Sequence, residues 1–276
     1  MAETKKTPKV HTITHVGSDK PAAQTVQHVE KGNAVPLRIG ACVLWVVAIA
    51  FEVLALLILV GKIPVSETMR WVLGIGALVL DLVCVIIGSQ LWKKANRISP
   101  ASKANALKFW LWNNLGVIAS VLAFVPFVIL MLTNKDADGK TKTIASIVAV
   151  IALLIGGLAS YDFDPISQED VNAALSVYTE DVYWTKYGKV YHSHEDCQYL
   201  QGASTNNLFA GSVDTAIAEN RPNICKACAK RDLASGMDLT GVLTEDGEIG
   251  VDVDVSEFLG VDADDLMDLN LIPEGA

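Results

Sequence analysis

Residues 39–61 read IGACVLWVVAIAFEVLALLILVG, an apolar run broken by a single carboxylate, Glu52, and flanked by Arg38 and Lys62. A helix rises about 1.5 Å per residue, so a run of this length crosses the roughly 30 Å of hydrocarbon in a bilayer. Three more runs follow, at residues 71–91, 109–132 and 144–159. The last is short, and Thr143 and Ser160 extend it into the interface. Trp71, Trp92, Trp110 and Trp112 fall at run ends, where amphipathic rings favour the headgroup zone. Buried helices of a soluble core would not carry cations and tryptophans at their ends in this way. The reading is a four-helix α-helical transmembrane bundle spanning residues 38–160, with the lipid bilayer as its solvent.

Loop charge orients the bundle. The polar tail at residues 1–37 together with Arg38 has six Lys and Arg. The next three loops carry Lys62 and Arg70; then Lys93, Lys94, Arg97, Lys103 and Lys108; then Lys135, Lys140 and Lys142. The excess alternates, and cytoplasmic loops are the cation-rich ones. Both termini and the second loop are therefore expected in the cytoplasm of a cell-membrane protein. The tail is too polar for a signal peptide and is expected to be disordered.

Two carboxylates lie inside the spans, Glu52 and Asp81, and no Lys, Arg or His accompanies them there. An unpaired charge in lipid is costly. Asn113 and Asn114, near the cytoplasmic end of the third span, are candidate hydrogen-bond partners. Such polar residues either fix helix packing or line a proton or cation path in a small transporter or sensor. The small residues Ala145, Ala149, Ala152 and Gly156 recur at helical spacing, which permits close approach within one bundle or between copies of a homo-oligomer. Cys42 and Cys84 read as small hydrophobes.

Beyond Ser160 the composition changes. Ser167 and Asp170 form a helix-capping signal ahead of Val171, Ala174, Leu175 and Tyr178. Residues 182–192, VYWTKYGKVYH, read as a β-hairpin turning at Tyr187-Gly188. His192, Cys197, Cys225 and Cys228 follow as H-x4-C and C-x2-C, two local chelates that together make a closed tetrahedral set suited to structural zinc. His194 is an alternative ligand. Thiols in the cytoplasm stay reduced, which favours metal over a disulfide.

The string at residues 182–228 resembles the Ada-like metal-binding domain. It carries Thr185, Gly188, Tyr191-His192, Cys197, Pro222, Cys225 and Cys228 in that family's order. The resemblance implies a small α+β zinc fold. In the family's DNA-repair member, which has four cysteines, a metal-bound cysteine accepts a methyl group from DNA. Here a histidine replaces one cysteine, and Cys197 would be the nucleophile. Residues 161–235 carry 6 basic and 11 acidic side chains, which opposes binding to nucleic acid.

Residues 236–276 are acidic; from Asp232 to Ala276 there are 13 acidic residues and no Lys or Arg. A short hairpin is expected around Asp246-Gly247. Phe258, Leu259, Val261, Leu266, Leu269 and Leu271 punctuate the charges, as in a segment that docks on a protein partner. The fold expected is thus a transmembrane bundle, a cytoplasmic α+β zinc-binding domain at residues 161–235, and an acidic end. The expected role is non-enzymatic: a membrane-anchored zinc module for interaction or regulation. A transporter or sensor, and a metal-thiolate catalyst, are the alternatives.

Overall fold

The computed structural model describes residues 10–13, 24–201, 207–239 and 242. It separates into a helical unit, Asn33–Asn96 with Lys103–Pro165, and a mixed unit of the remaining stretches, including Arg97–Ser102.

The helical unit holds α1 (Ala34–Leu59), α2 (Glu67–Ile98), α3 (Ala106–Asn113), α4 (Leu115–Thr133) and α5 (Gly139–Ser160). Four of these, α1, α2, α4 and α5, are long and apolar enough to cross a membrane. Their bounds differ from the apolar runs because polar caps set them. Asn33 accepts a hydrogen bond from the Val35 amide and starts α1, and Asp138 accepts from Thr141 and starts α5. Each satisfies a donor the first helical turn leaves open. The third run is not one continuous helix. Asn114, at φ −104° and ψ 23°, separates α3 from α4. Its Nδ2 donates to the Trp110 carbonyl and its Oδ1 accepts from the Asp162 amide, side-chain bonds that compete with the helical ladder.

Helix packing follows the small residues. Ala145, Ala149 and Ala152 are buried, and a Cβ on Gly156 would stand 3.2 Å from Leu82 Cδ1 and 3.3 Å from Ser120 Oγ. The stripe on α5 therefore packs within this chain. A Cβ on Gly116 would overlap Ser89, whose Oγ accepts a 2.8 Å bond from Ser160. Near one end of the unit the Arg38 guanidinium lies over the rings of Trp92 and Trp112, at 5.7 and 5.3 Å.

The mixed unit contains β1 (Val10–Ile13), β2 (Gln24–His28), α6 (Gln168–Val177), β3 (Val182–Thr185), β4 (Val190–Tyr191), β5 (Leu208–Gly211), α7 (Val213–Ala218), β6 (Asn223–Ile224) and α8 (Lys226–Ala234). One sheet runs β1-β2-β5-β3, and a second pairs β4 with β6. Its core includes Val26, Trp184, Tyr191, Leu200, Leu208 and Leu239.

Part of the stretch read as a disordered tail is thus structured. β2 pairs in parallel with β5, with Val26 opposite Leu208, and Val26 is 2% exposed. Residues preceding α1 and residues following α5 share one sheet. The stretch after α2 joins the same unit, and the Gln168 amide donates to the Ala101 carbonyl. α6 carries the expected capping box, Ser167 and Asp170 exchanging bonds of 3.1 and 2.8 Å. Val171, Ala174 and Tyr178 face the core, while Leu175 does not. Beyond Leu239, the acidic segment and the expected hairpin around Asp246 lie outside the described residues, Val242 apart.

Candidate metal centre

The hairpin forms as the sequence suggests. Tyr183 and His192 exchange backbone bonds of 2.8 and 2.7 Å. In the turn the Gly188 amide donates to Thr185 Oγ1 at 3.0 Å, and a Cβ on Gly188 would stand 2.6 Å from that oxygen. This explains why threonine and glycine occur together at that spacing. Arg221 fastens the same turn by donating to the carbonyls of Thr185 and Lys186.

The second sheet then aligns the ligands. β4 and β6 run in parallel with Tyr191 opposite Ile224, so the next residue on each strand, His192 and Cys225, emerges side by side. The Cys225 amide donates to the Tyr191 carbonyl at 2.8 Å and fixes that register. Cys225 is also the N-cap of α8, with no side-chain capping bond, so its sulfur is left for another partner. One turn into α8 comes Cys228. Cys197 closes the set from a turn in which its amide donates to the His194 carbonyl and Leu200 anchors the far side.

Four ligand atoms, from His192, Cys197, Cys225 and Cys228, lie within 4.8 Å of one another, and all four residues are buried. His192 Nδ1 is 3.7 Å from Cys228 Sγ. Tetrahedral zinc, with bonds of about 2.1 Å to nitrogen and about 2.3 Å to sulfur, sets such a pair about 3.6 Å apart. The electrostatics suit the binding of a cation. Burial pushes the His192 imidazole down to about 4, into the neutral form a metal needs. Burial, reinforced by the neighbouring thiols of Cys197 and Cys225, pushes the Cys228 thiol up to about 12. Burial raises Cys197 as well. Three clustered thiols resist ionisation until a dication supplies the opposite charge. The donor set therefore fits a metal ion.

His194, the alternative ligand, is turned elsewhere. Its Nε2 approaches Asp232 Oδ1 at 2.7 Å, within ion-pair range but off the direction of a hydrogen bond. Asp232 is 1% exposed, and its Oδ2 accepts from Tyr178 Oη at 3.0 Å and Ser193 Oγ at 2.7 Å. Burial, with Tyr191 and Asp232 nearby, drives the Tyr178 phenol pKa upward, so it remains a donor. These contacts hold the His192–Cys197 loop against α8, a role of the kind that outer partners play around metal ligands. Sequence reasoning overlooked Asp232, although it lies one helical turn beyond Cys228 and so on the same face.

An open groove of about 620 Å³ borders the centre, lined by Thr185, Val190, His192, Tyr199, Cys225 and Lys226 among others. Of the candidate ligand sulfurs, Cys225 rather than Cys197 lines this groove.

In the helical unit, Glu52 and Asp81 are both buried, at 7% and 0% exposure. The Phe127 backbone lies near Glu52, and neither Asp81 oxygen has a hydrogen-bond partner among the described residues. The expected asparagine partners are engaged elsewhere. Asn113 accepts from Asn96 and donates to the Phe109 carbonyl, and Asn114 bonds Trp110 and Asp162. No known protein family matches the chain, and neither does any curated protein or solved structure.

Proposed function

We propose that this chain is a multi-pass membrane protein that displays a zinc-stapled domain at the cytoplasmic face as a docking module for a protein partner. The observation that carries the reading is the burial of all four ligands, His192, Cys197, Cys225 and Cys228, in one closed set. A catalytic zinc keeps an open coordination position, whereas a structural zinc is enclosed by four protein ligands. Loop charge and the abundance of free thiols both support the cytoplasmic side. The Thr185–Gly188 turn, supported by its own hydrogen bond, supports kinship with the Ada-like fold. The docking surface is the groove beside the centre, where Tyr199 is 63% exposed; Lys226 gives it local positive charge. The acidic balance of the domain disfavours nucleic acid as the partner. Metal-thiolate chemistry is a second reading, favoured by the position of Cys225 on the groove.

The test uses the full-length protein in detergent. Elemental analysis should find one zinc per chain, lost in Cys225→Ser. A photo-crosslinker at Tyr199 should then give one discrete protein adduct in cells with the wild-type centre and none with Cys225→Ser. A metal-free folded protein, or crosslinking indifferent to the metal, would overturn the proposal. A covalent modification on Cys225, read by intact mass, would favour the thiolate reading instead.

A further inference from the structure

We infer that Glu52 and Asp81 form a binding site for one dehydrated monovalent cation between α1 and α2. The argument stands on the helical unit alone. α1 and α2 run antiparallel, and two close approaches fix their register. A Cβ on Gly74 would meet Leu59 at 2.5 Å, and one on Gly88 would meet the Trp45 ring at 2.7 Å. Glu52 is seven residues from both Trp45 and Leu59, and Asp81 is seven from both Gly74 and Gly88. Seven residues are close to two helical turns, so each carboxylate shares the face of its flanking contacts. Glu52 and Asp81 therefore oppose one another midway between the two contacts.

Proximity of two acids is not by itself a site. The second observation is that Asp81 is fully buried and that neither of its oxygens meets a donor among the described residues. A carboxylate retained only to tie helices together would be hydrogen-bonded. The side chains best able to do that, Asn113 and Asn114, are committed elsewhere.

The charged surroundings point the same way. α1 carries Glu52, with Arg38 at its start; α2 carries Asp81 and the Cys84 thiol, with Glu67, Arg70, Lys93, Lys94 and Arg97 toward its ends; α4 has no ionisable side chain, and α5 has none from residue 143 onward. Among the described residues, no Lys, Arg or His on α1 or α2 lies within ten positions of either carboxylate, so a counter-charge would come from solution. Two carboxylates make a small set of hard donors. Calcium usually takes about 6–8 oxygens, and magnesium sheds water reluctantly. A singly charged alkali ion suits this number of donors better.

The probes are sodium, potassium and lithium chlorides against choline chloride, at equal ionic strength and fixed pH, with the full-length protein in detergent. One alkali ion should raise the unfolding midpoint by several degrees with saturating dependence. Asp81→Asn should abolish the shift, and Glu52→Gln should weaken it. Equal midpoints in all four salts, or a shift that persists in Asp81→Asn, would overturn the site. The wild-type protein gives a second measurement, free of any folding defect in the variants. The preferred ion should slow modification of Glu52 or Asp81 by a hydrophobic carbodiimide several-fold, as read by peptide mass. An unchanged rate would also overturn it. Protease resistance of the helical unit, read by fragment mass, reports that the variants are folded there.

Discussion

His192 Nδ1 stands 3.7 Å from Cys228 Sγ across an interval of 36 residues. One residue ends a hairpin and the other lies in the first turn of a helix, and the core of the mixed unit closes around both. Removing a ligand should therefore remove more than the metal. Structural zinc in small domains contributes on the order of 10 kcal/mol of apparent binding free energy at neutral pH, and that free energy is available for folding. Cys228→Ser, or a strong chelator, should release the metal and make residues 166–239 protease-sensitive. The helical unit should stay protected, as read by fragment mass.

Acidity should act through His192. Burial lowers its imidazole from the ordinary 6.5 to about 4. The unfolded chain then takes up a proton before the folded chain does, so stability falls as pH drops through that window. In metal-free protein the residual folded fraction of the mixed unit should decline as pH falls from about 6.5 to about 4. His192→Gln should flatten the decline. A decline of the same steepness in that variant would place the titration elsewhere.

Asp232 offers a test of the support behind the ligands. Asp232→Ala strips a buried acceptor from Tyr178 and Ser193 and leaves His194 without its ion pair. The expected cost is about 2–4 kcal/mol, read as a lowered midpoint. Metal affinity should also fall by about 10-fold or more, as for other outer-sphere partners.

Val26 tests whether the segment before α1 belongs to the fold. Val26→Asp buries a charge in the sheet and should destabilise the mixed unit severely, whereas Val26→Ala should cost about 2 kcal/mol. Cysteines placed at Lys31 and Lys189 should label with an impermeant maleimide from the same side of sealed vesicles. Labelling from opposite sides would contradict the pairing of β2 with β5.

In the helical unit, Gly116→Val should drive a branched side chain into Ser89 and Ser160 and cost about 1–3 kcal/mol. Gly157→Ala meets nothing within 4 Å and should be neutral or slightly stabilising, since alanine favours the helix. Thermal aggregation in detergent separates the two.

What the sequence reveals here follows how local each cause is. The apolar runs, the Ser167 capping signal, the turn at Gly188 and the ligand spacing all act over a few residues, and each is legible. The break at Asn114 is not, because it depends on the Asp162 amide, which a different helix end delivers. The strand at Gln24–His28 has one buried valine among polar residues, and its partner lies beyond four spans. The contacts of Asp232 are hidden for a similar reason, since three separate segments converge on one carboxylate. Distant partners, rather than weak local signals, account for the misreadings.

The pairing of β2 with β5 also imposes an order of events during synthesis. Chains elongate at about 5–20 residues per second, so the segment containing Val26 emerges on the order of tens of seconds before the one containing Leu208. Through that interval β2 has an unpaired edge, the kind of surface that invites wrong partners. All four long helices must be made before the sheet can close. Closure of the sheet is thereby tied to completed synthesis of the helical unit, and a chain that stalls partway would leave the strand uncovered.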